Sequence, residues 1–376
     1  MRTIGFALSA VLTVACTVAD AQERDAGRSG LDGCFSPPAK YAGQLGDFAS
    51  PLKFYDGRAV KTAKDWSARR GEILGRWHKI MGEWPPLLKK PKLVTVKTER
   101  RENFTQQDVR VEVADGFLLP AILLVPDGKG PFPAAVVTFY DAKTGAGLGK
   151  GRSDFGYQLV KRGFVTLSIG GIQPRRRRKD EAGIQQLSFE AYGLANCHTV
   201  LAGFPNVDAK RIGIVGHSYG GKKAMFASCL YEKFACAAWS DGGIVFDEKR
   251  SNVNYWEPWY LGYAAGKKQR RPGIPGPKNP RTGAYKTLIE QGRDLHELHA
   301  LMAPRPFLVS GGSEDKPQRW VALNHAIAVN KLLGYKDRVA MTNRKGHSPT
   351  RESNAQIGEF FERFLKPAGK RADAGR

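Results

Sequence analysis

Apolar positions change their spacing near residue 131. Before that point the pattern is mixed. Residues 22–60 are rich in Gly, Pro and Asp without a clear period and read as an irregular lead-in segment. In 63–81, Trp66, Ile73, Leu74, Trp77, Ile80 and Met81 recur at nearly helical spacing, which predicts an amphipathic helix. Gly82-Glu83-Trp84-Pro85-Pro86 ends it, because proline lacks the amide proton and its ring clashes with the preceding turn. Strands are expected at 93–96, 109–113 and 117–125, with Asp115-Gly116 as the hairpin turn between the last two.

After residue 131 the pattern becomes regular. Apolar segments at 134–139, 164–169, 211–215, 235–239, 306–310 and 339–342 alternate with helical stretches near 154–161, 189–201, 219–231, 320–333 and 352–365. Strands that are apolar on both faces and separated by helices predict a mostly parallel sheet covered by helices on both sides. The alternation breaks over 243–300, where Tyr255-Trp256-Glu257-Pro258-Trp259-Tyr260 and a Pro/Gly-rich run predict a long insertion before the penultimate strand. Residues 61–366 therefore read as one α/β domain, and the basic tail 367–376 as disordered.

The N-terminus changes the picture of where the chain works. Arg2, an apolar run over 3–19 and Ala19-Asp20-Ala21 read as a secretory signal peptide over 1–21. The run is short of the roughly 20 residues that a membrane span needs. A secreted or periplasmic protein without a membrane span is expected. Export permits disulfides, but Cys197, Cys229 and Cys236 lie in apolar surroundings and read as buried thiols. No Cys/His spacing suggests a zinc site. The formal charge of +23 is concentrated in Arg175-Arg176-Arg177-Arg178-Lys179 and Lys267-Lys268-Gln269-Arg270-Arg271. For an exported protein this argues against nucleic acid as partner and for an acidic polysaccharide or an anionic surface.

The strongest chemical signal is Gly216-His217-Ser218-Tyr219-Gly220, entered from an apolar strand and opening a helix. A chain of this composition holds about 0.2 such pentapeptides by chance, so the strand-turn-helix context carries the weight. In the α/β-hydrolase fold this turn exposes a nucleophile, here Ser218, above the sheet. The amide of Tyr219 faces an oxyanion, and a second donor amide comes from Tyr140 or Asp141 after the strand at 134–139. The serine needs a base. His347, after the last strand, fits the chain order. His217 adjoins the serine in sequence, but its side chain is expected to point away. His325 lies mid-helix and should be packed, and His296 with His299 lack a third metal ligand. For the acid, Asp315 in the loop after the penultimate strand ranks first, Asp241 at the preceding strand end second, and Glu314 third.

With these residues placed, the stretch from about 60 to 366 resembles secreted bacterial α/β-hydrolases related to acetyl xylan esterases and glucuronoyl esterases. The resemblance implies a sugar contact for Lys222, an alternative acid at Asp241, and sugar-site roles for Trp256 and Trp259. Those enzymes carry Cys before the serine and Arg after it, where this chain has His217 and Tyr219. The expected activity is hydrolysis of acetyl or glucuronoyl esters on polysaccharides, or of smaller esters, with no metal or cofactor. The competing readings are an exported peptidase of the prolyl oligopeptidase kind and a non-catalytic polyanion binder on the same scaffold. No repeat-bearing N-terminal domain supports the first, and the intact Ser/His pair argues against the second.

Overall fold

The computed structural model describes residues 30–172 and 183–366. The expected signal segment, the basic run at 175–179 and the tail from 367 lie outside the described residues. Nine strands form one sheet: β1 (Leu93–Arg101), β2 (Phe104–Ala114), β3 (Phe117–Pro126), β4 (Phe132–Thr138), β5 (Val165–Ile169), β6 (Val207–His217), β7 (Cys236–Ser240), β8 (Phe307–Gly311) and β9 (Val339–Asn343). Their order is β1-β2-β3-β5-β4-β6-β7-β8-β9. The first three and the β3–β5 pair are antiparallel. All pairs from β5 through β4 to β9 are parallel.

The helices are α1 (Ala63–Met81), α2 (Ala142–Gly145), α3 (Phe155–Val160), α4 (Gln186–Ala202), α5 (Tyr219–Leu230), α6 (Gly283–Glu290), α7 (His296–Leu301), α8 (Trp320–Leu332) and α9 (Arg351–Leu365). Thr62 and Asp65 close a reciprocal capping box at the start of α1, which satisfies amides that the first turn leaves free. The pleat splits the central strands between two cores. Along β4, Ala134 and Val136 enter the core shared with α1, α4 and α5, while Ala135 and Val137 enter the one shared with α3 and α9. This is the physical reason the central segments are apolar throughout: neither face meets water.

Each strand expected from the apolar pattern is present, and the first three are longer than predicted. Polar residues such as Lys97, Thr98 and Glu99 on the exposed edge strand interrupt the apolar run without ending the hydrogen-bonded ladder. Residues between β7 and β8 carry α6 and α7, too short to show a helical period. Cys197, Cys229 and Cys236 are buried free thiols, and burial pushes Cys197 up to about 12. No helix among the described residues is long and apolar enough to cross a membrane.

Burial also governs the acid side of stability. It depresses His78 and His325, drives His299 well below the ordinary range, and holds His198 near 4 and His217 and His296 near 3. An unfolded chain takes up these protons near pH 6.5, so it binds more of them than the folded chain and stability falls as pH drops below that value. Asp294, raised by burial to about 7, and Asp315, raised to about 6, act in the opposite sense. The imidazoles outnumber them. The melting temperature should therefore be lower at pH 5 than at pH 7, by roughly 5 °C or more; an unchanged or higher value in calorimetry would contradict this.

Candidate active site

The site is built where the parallel strands end. β6 runs into Ser218, which sits at φ 57° and ψ −122° and starts α5. A non-glycine residue at positive φ costs about 1–3 kcal/mol, so the surroundings must hold it there. They do so by close approach. A side chain at Gly216 would collide with the Gly220 carbonyl, and one at Gly220 with the Thr138 carbonyl at the end of β4. The Ser218 amide donates to the Ser240 carbonyl over 2.8 Å, pinning the turn to β7. The Tyr219 amide opens the helix, where the aligned peptide dipoles favour negative charge.

The loop after β9 brings His347 to this turn. The Ser218 hydroxyl donates to His347 Nε2 over 2.9 Å, and His347 Nδ1 donates to Asp241 Oδ2 over 2.7 Å. Asp241 is fully buried. Its other oxygen accepts the amides of Glu314 (3.1 Å) and Asp315 (2.9 Å). Burial alone would raise its carboxyl; the His347 hydrogen bond, the Asp315 amide and the Arg344 charge outweigh that and hold it below the ordinary value. Arg344 fixes the loop. It donates to the His347 carbonyl (3.2 Å), the Ser310 carbonyl (2.8 Å) and the Ser240 hydroxyl (3.3 Å). A cavity of about 200 Å³ opens beside the serine, lined by Ser218, Lys222, Asp241, Asn252, Glu314 and His347.

Serine, imidazole and carboxylate on these strand ends, over this sheet order, decide the architecture. The fold is that of the α/β-hydrolases. No protein-family model matches the chain. A 4-O-methyl-glucuronoyl methylesterase from Podospora anserina is 22% identical over 369 residues, spanning 86% of this chain and 68% of that protein. A glucuronoyl esterase from Solibacter usitatus superposes with a TM-score of 0.65 at 19% identity, covering 84% of this chain and 97% of its own. A carbohydrate esterase family 15 glucuronoyl esterase from Caldicellulosiruptor kristjansonii gives a TM-score of 0.62 at 22% identity, covering 88% and 93%. These likenesses concern the shared α/β-hydrolase fold.

Within that fold several expected residues take other positions. Asp315, ranked first as the acid, does not hold His347. Its oxygens accept the amides of Gly243 (2.8 Å) and Ile244 (2.7 Å), and burial, with the Asp241 charge second, raises it to about 6. Glu314 faces the cavity, but its carboxylate is engaged by Arg250, Asn252 and Ser313 at 3.1 Å each. His217 does not point away from the site. Its Nδ1 donates to the Ser240 carbonyl, and its ring lies 4.6 Å from that of His347 and is stacked with that of Phe139 at 6.1 Å. Trp256 is fully buried against Tyr285, its indole bonded to Glu257, so it is insertion core and not a wall of the cavity. Trp259 is 39% exposed and outside the cavity lining.

Other candidates stay near the serine. Lys222 is buried, its ammonium 5.0 Å from the Tyr255 ring centre and 5.4 Å from that of Tyr260. It makes no hydrogen bond among the described residues, and burial lowers it to about 8. Tyr140 lies beside Ser218, and Asp141 caps α2 through the Thr144 amide. His325 accepts no site role: it is packed and bonded to the Leu45 carbonyl, while His296 is bonded to that of Ala49. Arg344 and Asn252 were not singled out in advance. Arg344 lies three residues before His347, yet its reach to β7 and β8 exists only once the loop is folded.

The two carboxylates should separate in mutants. Asp241→Asn is expected to lower kcat by about 10⁴-fold with folding intact, because the imidazole loses its orienting charge. Asp315→Asn should cost about 1–3 kcal/mol of stability by setting a donor against two amides, with a far smaller loss of kcat. Steady-state kinetics beside urea unfolding distinguish them; the reverse ranking would return the acid role to Asp315.

Proposed function

We propose that the protein is a secreted serine carboxylic ester hydrolase acting on ester decorations of polysaccharides, glucuronoyl or acetyl. The observation that carries this is the continuous chain from Ser218 through His347 to Asp241, at 2.9 and 2.7 Å. Ser218 Oγ attacks the ester carbonyl while His347 Nε2 takes its proton. Asp241 holds the imidazole in the right tautomer and offsets the imidazolium charge. The Tyr219 amide stabilises the oxyanion. His347 then protonates the departing alcohol, and on the second half-reaction it takes a proton from the water that cleaves the acyl-enzyme.

Lys222 supports a sugar-acid acyl group over a plain one. A buried ammonium with no hydrogen bond among the described residues has a desolvation cost that nearby carboxylate charges offset in part, and a carboxyl or hydroxyl oxygen of a bound sugar in the adjoining cavity would offset more of it. The 4-O-methyl-glucuronoyl methylesterase of Podospora anserina points to the same substrate class. The basic surface suits an acidic polymer, although not every cation in it is free for this. Arg270 is turned inward to Glu257 and the carbonyls of Gly273, Asn279 and Pro280, while Lys267, Lys268 and Arg271 are exposed.

The test is a panel of methyl glucuronate, acetylated xylan and aryl acetate esters. Ser218→Ala should abolish turnover of all three; persisting aryl ester hydrolysis would contradict the mechanism. Lys222→Met should lower kcat/KM on methyl glucuronate by roughly 10–10²-fold, as expected for a charged hydrogen bond of about 1.5–3 kcal/mol, and by clearly less on aryl acetate. Because Lys222 loses its proton near 8, the glucuronate-to-acetate preference should fall as pH rises through that value. Equal losses on both esters and a flat preference would remove Lys222 from substrate recognition.

A further inference from the structure

The residue after the nucleophile contributes only its backbone to the site. The Tyr219 hydroxyl donates to Glu190 Oε1 over 2.6 Å and lies 3.1 Å from the Trp259 carbonyl, behind the turn and away from the cavity. Glu190 is itself fully buried and paired with Lys223 at 3.3 Å, so this side chain is locked into a charged network. An excursion of Tyr219 toward substrate would leave that buried carboxylate short of its phenol donor, so the side chain stays behind the turn.

A different phenol occupies the free side of the serine. Tyr140, two residues past β4, places its hydroxyl 3.4 Å from Ser218 Oγ. Its backbone carbonyl accepts the Gly171 amide, and the neighbouring Phe139 amide bonds the Ile169 carbonyl, so the loop is held to the end of β5. Its ring stands edge-on to Phe139 with centroids 4.8 Å apart and leans on Tyr219 at 6.2 Å. One end of the side chain is thus braced by aromatic packing. Even so, the residue is 57% exposed, and its hydroxyl stands beside the Ser218 oxygen that lines the cavity.

His347 Nε2 already receives the serine proton, so the phenol is not needed as a base. A carbonyl oxygen bound for attack by Ser218 Oγ sits within a bond length and an angle of that atom, inside the reach of a donor poised 3.4 Å away. We propose that Tyr140 is a catalytic residue whose hydroxyl donates a hydrogen bond to the oxyanion of the tetrahedral intermediate, alongside the Tyr219 amide. No proton leaves the phenol: it donates, the charge develops on the former carbonyl oxygen, and the bond relaxes when the carbonyl reforms. The hydroxyl adds a donor to the backbone amides expected at this turn. A contact that is long in the resting site and tightens as charge develops is the usual behaviour of such donors.

The proposal rests on the ester-hydrolase reading, and the experiment separates the two. Wild type, Ser218→Ala, Tyr140→Phe and Tyr140→Ala are compared on aryl acetate, together with inhibition by an aryl trifluoromethyl ketone, which forms a tetrahedral adduct with an active serine. Tyr140→Phe removes one hydroxyl from an exposed side chain, and its circular dichroism should match wild type. It should lower kcat by roughly 10–10²-fold with KM nearly constant, somewhat less than a fully buried oxyanion donor, and weaken the ketone by a similar factor. A Tyr140→Phe enzyme within about threefold of wild type in kcat and ketone affinity overturns the proposal while leaving the hydrolase reading intact. So does a Tyr140→Ala enzyme that raises KM alone, since the ring would then be only a wall for substrate. A wild type with no Ser218-dependent hydrolysis overturns both.

Discussion

The Asp241 carboxylate is the junction on which the site depends. One oxygen accepts a hydrogen bond from His347 Nδ1, and the other accepts the amides of Glu314 and Asp315. Asp315 in turn holds the amides of Gly243 and Ile244 at the start of the β7–β8 connection. Three loops from three strand ends therefore meet at two buried carboxylates. Low local dielectric makes every such bond stronger and every missing one more costly. Asp241 itself sits at φ 50°, a left-handed conformation that Asp adopts more readily than most residues, and this network holds it there. Arg344 supplies the compensating charge and ties the His347 carbonyl to the ends of β7 and β8.

Much of this was legible before the fold was known. The turn at Ser218 was readable because contact geometry demands glycine at 216 and 220, and because the strand residues just before it, Ile212 to Val215, carry no polar side chain. His347 was readable from its place after the last strand. The acid was not. Asp241 and Asp315 lie at the ends of adjacent strands, and only the side-chain direction separates them, which chain order does not encode. The same limit applies to the insertion. Composition marks 255–260 as aromatic, but whether Trp256 or Trp259 turns inward depends on Tyr285, which packs against Trp256 from a distant helix. His217 shows a related effect: strand alternation predicts a side chain turned from the serine, yet its ring packs 4.6 Å from that of His347.

The elements behind the site explain how it stays fixed. α5 is buried along its whole length, so Lys222 and Lys223 cannot reach bulk water and must find partners inside. Lys223 has them, in Glu190 and the Phe139 carbonyl at 2.6 Å. Among the described residues Lys222 makes no hydrogen bond and has the faces of Tyr255 and Tyr260 and the nearby charges of Asp315, Glu314 and Asp241. Adjacent lysines on one helix thus divide the work: one braces the loop bearing Tyr140, the other waits at the cavity. The glycines, the carboxylate junction and the aromatic shelf together present one hydroxyl to one small polar space.

The central claim is that Ser218, activated by His347 and Asp241, forms the covalent intermediate. Intact-protein and peptide mass spectrometry after brief treatment with an alkyl fluorophosphonate tests it directly, since only an activated serine reacts quickly with that reagent. The account predicts a single adduct on the peptide carrying Ser218, absent in Ser218→Ala and formed far more slowly in His347→Ala. Rapid labelling elsewhere, or at equal rate in His347→Ala, would contradict it.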